Sequence, residues 1–395
     1  MYKIIKKLQK RTVFIIIIIQ YNTALAGSII IPPLPIALNS RPLGMGNAFV
    51  GVADDENAIF SNPAGIGFID SRNKTKDFVK SASFPGFSIA SNSYTYNLIN
   101  HYFNPFTHPK NIIDLSVQNI NKSDIIFSRF SFFPNIVFDF AEFGILVDSH
   151  LSGYTSKLNS PQTSAFSATT YDREFSIVRR DQFGLIGGFS LPIFEHFIIG
   201  FGARYLQRKT IINIIEADKN STINESYQNI EDNANYTKGT AFDVGIIVPF
   251  QHFLRSKIGV SLLDIGDTTY KSAKSLSKDE IEKMNIKAGL SINPSISKNI
   301  GATVSIEQER INDSRLNFRD KIRAGCELSF GSFNGSNAPF SMRIGYGMQS
   351  VSAGVSVNLF FADIDFSTYG EQVSTADGFV TDRRYVAKIS VSLVE

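Results

Sequence analysis

At 395 residues, with Lys+Arg 39 against Asp+Glu 36 and a formal net charge of +3, the chain lacks the basic excess that a nucleic-acid partner would call for. A mean hydropathy of −0.01 is too polar for a helical membrane protein, and no apolar run reaches the roughly 18 residues that a membrane helix needs. The single cysteine, Cys326, excludes an intramolecular disulfide and a cysteine-rich zinc site.

The N-terminus reads as an export signal. Lys3, Lys6, Lys7, Lys10 and Arg11 form a basic region, Val13–Ile19 is a short apolar stretch, and Ala24-Leu25-Ala26 is a small-x-small cleavage site. Residues 1–26 are therefore expected to be a signal peptide, with Gly27 the first mature residue. No cysteine follows the site, which argues against a lipoprotein. Ser28–Pro35 is a proline-punctuated apolar lead.

Arg41–Gly67 is irregular and compact. Gly44 and Gly46 break regular structure. Ala48, Val50 and Val52 alternate with Phe49, Gly51 and Ala53, which predicts a short extended piece. Asp54 or Asp55 is placed to cap a helical turn over Glu56–Phe60. Pro63 disfavours helix at Asn62, so Asn62-Pro63-Ala64-Gly65 is predicted to be a tight turn. A polar connector, Asp70–Lys80, follows.

From about Ser83 the pattern becomes repeated period-2 alternation. In Ile322–Phe330, Ile322, Ala324, Cys326, Leu328 and Phe330 oppose Arg323, Gly325, Glu327 and Ser329; Val351–Leu359, Ala362–Ser367 and Tyr385–Leu393 behave alike. About fourteen such segments, joined by polar turns, predict an all-β transmembrane antiparallel barrel. They lie near 84–98, 125–138, 142–154, 170–190, 196–210, 239–249, 254–263, 285–293, 298–309, 319–330, 340–347, 350–360, 362–369 and 384–394. A soluble β-sandwich would also alternate. Its core would reject the charges found on the faces opposite the apolar ones, Lys287, Glu307, Arg323, Glu327, Arg343, Asp363, Asp365 and Lys388. A barrel lumen hydrates or pairs them. With Phe 34 and Tyr 14 the chain has enough aromatic surface for interfacial girdles, although Trp is 0.

Three inserts interrupt the strands. Pro109–Ile120 carries apolar residues at near-helical spacing, and Ser277-Lys278-Asp279-Glu280 is a capping box that predicts a short helix with Ile281 and Met284 on one side. Ala217–Lys238 is polar and reads as an extracellular loop. Inside 125–138, Pro134 lacks a ladder donor and so marks an edge, a bulge or an opening. One reading is an inward kink that forms a lateral portal, with Phe127, Phe133 and Pro134 around it. The other is a strand end at Asn135.

No catalytic constellation stands out, so no enzyme activity is expected. The five histidines are scattered, no ligand types repeat at zinc spacing, and neither a metal nor another cofactor is implied. Gly-rich pieces such as Gly184–Gly188 lie inside strands, not before helices, so no phosphate loop is indicated.

R-x-L-G-M-G from Arg41, then A-D-D over Ala53–Asp55 and N-P-A-G over Asn62–Gly65, resembles the N-terminal plug, or hatch, of the FadL family of outer-membrane long-chain fatty-acid transporters. It is most similar to the shorter branch that includes PorV-type barrels. The matched positions are Arg41, Leu43, Gly44, Met45, Gly46, Ala53, Asp54, Asp55, Asn62, Pro63, Ala64 and Gly65. Tyr369-Gly370-Glu371 and Asp382–Tyr385 resemble that branch's closing hairpin, whereas residues 80–240 show only strand-like patterning. The resemblance implies a fourteen-stranded outer-membrane barrel over 81–395 with a plug over 27–80 inside it. Asn62, Asp54 and Asp55 are expected to hold the plug, with lumen charges such as Arg323 and Arg343 as partners. The implied function is passive uptake of hydrophobic small molecules such as long-chain fatty acids, and the implied partners are the lipid bilayer and that ligand. The alternative is a barrel with a secretion-machinery or envelope-assembly partner, as in PorV-type members.

Overall fold

The computed structural model describes residues 39–69, 79–102, 125–163, 170–194, 197–217, 234–250, 252–274, 278–331, 338–359, 362–375 and 378–392. The expected signal peptide, its cleavage site, the lead Ser28–Pro35, the connector over 70–78 and the insert Pro109–Ile120 lie outside the described residues.

Fourteen antiparallel crossings close into one sheet. They are β1 Val79–Asn92, β2 Ile125–Phe132 continued by Asn135–Phe138, β3 Ala141–Thr163, β4 Thr170–Phe194 and β5 Phe197–Ala217. There follow β6 Asn235–Pro249, β7 Lys257–Leu263 continued by Thr268–Ser272, and β8 Glu280–Glu282 continued by Asn285–Ile292. The last six are β9 Ile300–Gln308, β10 Ile322–Phe330, β11 Phe340–Gly347, β12 Ser350–Leu359, β13 Ala362–Thr375 and β14 Gly378–Ser392. Each pairs with its neighbours in sequence, and β14 returns to β1 in a register running from Ser83↔Ser392 to Asn92↔Arg384. Closure leaves the main ladder without free edges, which is how a sheet satisfies its backbone in lipid.

Alternation sorts the side chains by face. On β10, Arg323, Gly325, Glu327 and Ser329 are buried; on β11, Ser341, Arg343 and Gly345 are buried while Met342, Ile344 and Tyr346 are exposed. The buried charges are those the sequence placed opposite the apolar faces: Lys287, Glu307, Arg323, Glu327, Arg343, Asp365 and Lys388 are all buried, and Asp363 is half-buried. Apolar outside and charged inside is the arrangement of strands whose outer surface meets hydrocarbon. At the β11–β12 hairpin, Met348 and Gln349 both take positive φ (49° and 60°), the two-residue geometry that matches strand twist.

Several boundaries differ from expectation. β3, β4 and β5 run to 23, 25 and 21 residues, against 9, 9, 8 and 10 for β9–β12. A tilted crossing needs only about 9–11 residues, so one side of the wall stands well above the other. The polar insert over Ala217–Lys238 is correspondingly shorter, because β6 resumes at Asn235. The helix expected from Ser277-Lys278-Asp279-Glu280 does not form. Glu280–Glu282 is instead strand, paired to Tyr270, Thr269 and Thr268, because ladder pairing outweighs a local capping signal. β1 ends at Asn92 rather than near 98, where the helix Ser93–Tyr102 begins.

Candidate functional site

The segment Asn39–Ile69 packs against the inward faces of the strands. It begins with the short helix Ser40–Gly44, which ends where Gly46 and Asn47 take positive φ (65° and 67°). The extended piece expected over 48–53 is instead a run of turns. Its cause is a carboxylate on the wall: Phe49 N and Val50 N both donate to Glu307 Oε2, at 2.7 and 2.8 Å, and curl the chain around it. The second helical turn spans Ala58–Ser61, not Glu56–Phe60. Asp55 Oδ1 accepts from Asn57 N and Asn57 Nδ2, each at 2.8 Å. Asn62 then caps the 3-10 turn Pro63–Phe68, its Oδ1 accepting from Ala64 N at 3.2 Å.

Arg41 is the hub of the electrostatics. One terminal nitrogen reaches Asp54 Oδ1 and Asp55 Oδ2, both at 2.6 Å. Its Nε and other terminal nitrogen fork onto Glu327 at 2.9 and 2.8 Å. Glu327 also accepts from Arg343, whose terminal nitrogen reaches Asp365 at 3.2 Å. A continuous chain of buried ion pairs thus runs from the segment through β10 and β11 to β13. The forked, charge-assisted geometry is the strong form of such a contact. Burial pushes the Asp55 carboxyl up from the ordinary 3.8 to about 6. Arg41 opposes the shift, and the Glu56 and Asp54 charges add to it.

Asn62 makes the second anchor. Its Nδ2 donates to Val50 O within the segment at 3.0 Å and to the wall carbonyls of Ile246 and Val260 at 3.2 and 3.4 Å. Ser291 Oγ donates to Gly51 O at 2.8 Å, and Ser352 Oγ to Gly44 O at 3.1 Å. Lys388 pairs with Glu56.

The closeness of the approach is set by wall glycines. A methyl on Gly245 would stand 1.9 Å from Asn62 Oδ1, one on Gly200 2.1 Å from Ala64 N, and one on Gly259 2.2 Å from Val50 O. On the opposite wall, methyls on Gly325 and Gly345 would stand 2.3 Å from Met45 O and 2.2 Å from Gly46 N. Glycine in a strand often marks close approach by another backbone, and here five strands are cut away along the path of one segment.

Among the described residues, apolar side chains of the segment and the wall form three buried clusters, the first of them Met45, Phe49, Val52, Ala53, Ala58, Ala64, Ile66 and Ile69 with Val137 and Ile247. Phe127, fully buried, groups with Leu43, Ala90 and Val386, and the Arg384 guanidinium stacks on it at 3.6 Å. Ile59, Leu146, Ile186, Leu206 and Tyr270 form the third cluster, flanked by Phe60 and Phe133, whose rings meet edge-on at 4.9 Å.

Of the residues expected to act, Arg41, Asp54 and Asp55 come together, and Gly44, Gly46, Asn62, Pro63, Ala64 and Gly65 lie in the same packed segment. Arg343 joins them through Glu327. Arg323 does not: it pairs with Glu309 at 3.2 Å and bonds Asp320 O and Ile322 O. At Pro134 the strand is interrupted for two residues and resumes at Asn135. Backbone bonds bridge the interruption on both sides, Phe133 N to Gly86 O at 2.8 Å and Ile145 N to Pro134 O at 3.1 Å. The wall is therefore continuous there. The missing donor of Pro134 coincides with an irregularity in β1 between Ser83 and Gly86. The role of Glu307 and of the wall glycines was not visible in sequence beyond their inward placement.

No protein-family model and no curated protein matches the chain in sequence. Solved structures are similar to it at low identity. The Pseudomonas putida toluene transporter TodX is 12% identical with a TM-score of 0.44, over 90% of this chain and 98% of that one. The Ralstonia pickettii toluene transporter TbuX is 11% identical with a TM-score of 0.43, over 90% and 98%. A Pseudomonas aeruginosa FadL homologue is 12% identical with a TM-score of 0.36, over 93% and 99%.

Proposed function

We propose that the chain is an outer-membrane barrel for passive uptake of hydrophobic small molecules, long-chain fatty acids being the type case, with residues 27–80 as its plug and 81–395 as its wall. The observation that carries this reading is the packing of Asn39–Ile69 against the inward faces of the barrel. It is held there by the Arg41–Glu327 fork and the two contacts of Asn62 to the wall carbonyls of Ile246 and Val260. The motif in Arg41–Gly67 resembles the FadL plug, which supports the same reading. The Phe127 and Ile59 clusters offer an apolar path along β2–β5 beside it. The wall is closed at Pro134 in this arrangement, so a path to the bilayer there would need the two bridging backbone bonds, Phe133 N to Gly86 O and Ile145 N to Pro134 O, to part.

The test is uptake of labelled oleate by cells that lack their own fatty-acid transporter and express this protein, with surface exposure and heat-modifiable mobility established first. Uptake that changes in an Asn62→Ala variant supports a gated transporter. A folded barrel with no uptake overturns the proposal. The second reading, an accessory with a secretion or envelope partner, is favoured by the height of β3–β5 above the rest of the wall, which offers a platform outside the membrane. Recovery of a stable partner after detergent extraction would support it.

A further inference from the structure

The outward face of β6 carries Val248, Ile246, Val244 and Phe242 and then turns polar, with Thr240, Lys238 and Tyr236 exposed. On β7 the exposed residues at that level are Thr269 and Lys271. Lys238 and Lys271 stand directly opposite each other in the β6–β7 ladder, and like charges so placed destabilise a sheet. Other lysines along this rim are compensated. Lys283 pairs with Asp267 at 2.6 Å, and Lys209 stands opposite Asp181 and lies over the Tyr236 ring at 5.7 Å. Among the described residues, neither Lys238 nor Lys271 has an ion-pair or hydrogen-bond partner. The acids that follow Lys271 are engaged elsewhere, Asp279 by Ser272 N at 2.8 Å and Glu280 by Arg180 and Arg208.

Height decides what can reach the pair. From Phe250, at the other end of the strand, to Lys238 the wall climbs about 30 Å at the usual strand rise and tilt, against about 25 Å for the apolar band of such a barrel. The two ammonium groups therefore stand just past the hydrocarbon, at headgroup level. Tyr236 and Tyr205 are exposed beside them, where amphipathic rings settle, and Phe242 and Leu185 lie exposed nearer the membrane centre. The chain ends, Val79 and Ser392, lie on the opposite rim, the one with the short turns, so the pair is on the extracellular side.

Resting on the outer-membrane reading above, we propose that Lys238 and Lys271 form a docking surface for the phosphate group of an outer-leaflet lipid. A phosphate monoester carries about −1.5 to −2 charges at neutral pH, so one headgroup answers both lysines. Gln207, directly opposite Lys238 on β5, offers it an amide donor, and the apolar residues below take the acyl chains.

The test is equilibrium binding of phosphatidic acid and of diacylglycerol, of equal chain length, to the full-length protein in zwitterionic micelles, counted by native mass spectrometry. The parent should bind phosphatidic acid at least about tenfold more tightly, since each lysine at an anionic surface contributes on the order of 1 kcal/mol. The double variant Lys238→Gln/Lys271→Gln should lose that preference, and Lys238→Arg/Lys271→Arg should keep it. Lys283→Gln/Lys298→Gln, which removes two exposed lysines elsewhere, should leave it unchanged; heat-modifiable mobility checks that each variant is folded. Equal affinity of the parent for the two lipids, or an equal loss in both glutamine variants, would overturn the proposal. Inorganic phosphate binding as tightly as the lipid would overturn it too, as an anion site with no lipid component. The measurement uses purified protein, so a barrel that binds the lipid but fails the uptake assay would lose the transport reading and keep the docking surface.

Discussion

Arg41 and Glu327 stand 286 residues apart in sequence and meet as a two-bonded pair, with Nε to Oε2 at 2.9 Å and the terminal nitrogen to Oε1 at 2.8 Å. Their side chains are 6% and 0% exposed. Removing one partner of such a pair leaves the other charged and buried, which costs about 3–5 kcal/mol. Arg41→Gln is therefore expected to loosen the segment strongly, and more than Asp54→Asn, since Asp55 still faces Arg41 in that variant. Limited proteolysis of the folded protein in detergent measures this directly. Cleavage within 40–69 should appear in Arg41→Gln while the strands stay protected. An uncut segment would mean that the fork does not hold it.

How far the sequence foretold this arrangement differs residue by residue. The inward placement of Glu327 and Arg343 was legible because period-2 alternation assigns every residue of a strand to one face. The partner of Arg41 was not, because alternation gives a face and no height or distance. The capping box before Glu280 misled because its signal is local, while the competing ladder to Thr268–Tyr270 is set by chain ten residues away. The far ends of β3 and β5, expected near 154 and 210, were missed because the period-2 alternation fades in the sequence beyond them, whereas the start of β4 at Thr170 was legible. Gly200, Gly245 and Gly259 were visible as glycines inside strands, but the reason for them lies in a segment more than a hundred residues earlier.

Those glycines give the second prediction. Gly245→Ala would put a methyl group 1.9 Å from Asn62 Oδ1, and overpacking of this kind costs about 1–3 kcal/mol. The residue in its way is a side chain, so Asn62→Ala in the same chain should recover part of the loss. Thermal unfolding of the two single variants and the double variant forms a cycle with a coupling of at least about 0.5 kcal/mol. Additive losses would show that the wall and Asn62 do not meet as described.

The third prediction concerns pH. The Asp55 carboxyl titrates at about 6 in the folded chain, raised from the ordinary 3.8 by burial, against the opposing pull of Arg41. Between these values the folded state binds a proton that the unfolded state does not. This group's contribution to stability is therefore full below about pH 4 and is lost as pH rises through 6. At its largest the effect is on the order of 3 kcal/mol. Asp55→Asn should flatten this part of the profile. Denaturant midpoints from pH 4 to 8 for both proteins would decide it, and parallel curves would place the titration elsewhere.

Glu307 supplies the last. Its Oε2 accepts from Phe49 N and Val50 N, and both residues are almost wholly buried, at 1% and 0% exposure. Glu307→Ala leaves two backbone donors without a partner in a place water does not readily reach, at about 1–3 kcal/mol for each. Glu307→Gln keeps an acceptor of the same length and should restore most of the loss, although Lys287, 3.9 Å from the native carboxylate, then relies on Glu309 at 3.7 Å. Global stability would not separate this from a general packing defect, so the useful measurement is amide exchange at residues 49 and 50. In Glu307→Ala both amides should exchange much faster while those of β9 keep their protection. If β9 opens together with them, Glu307 acts as part of the wall. If only the two amides open, it is the post around which the segment turns.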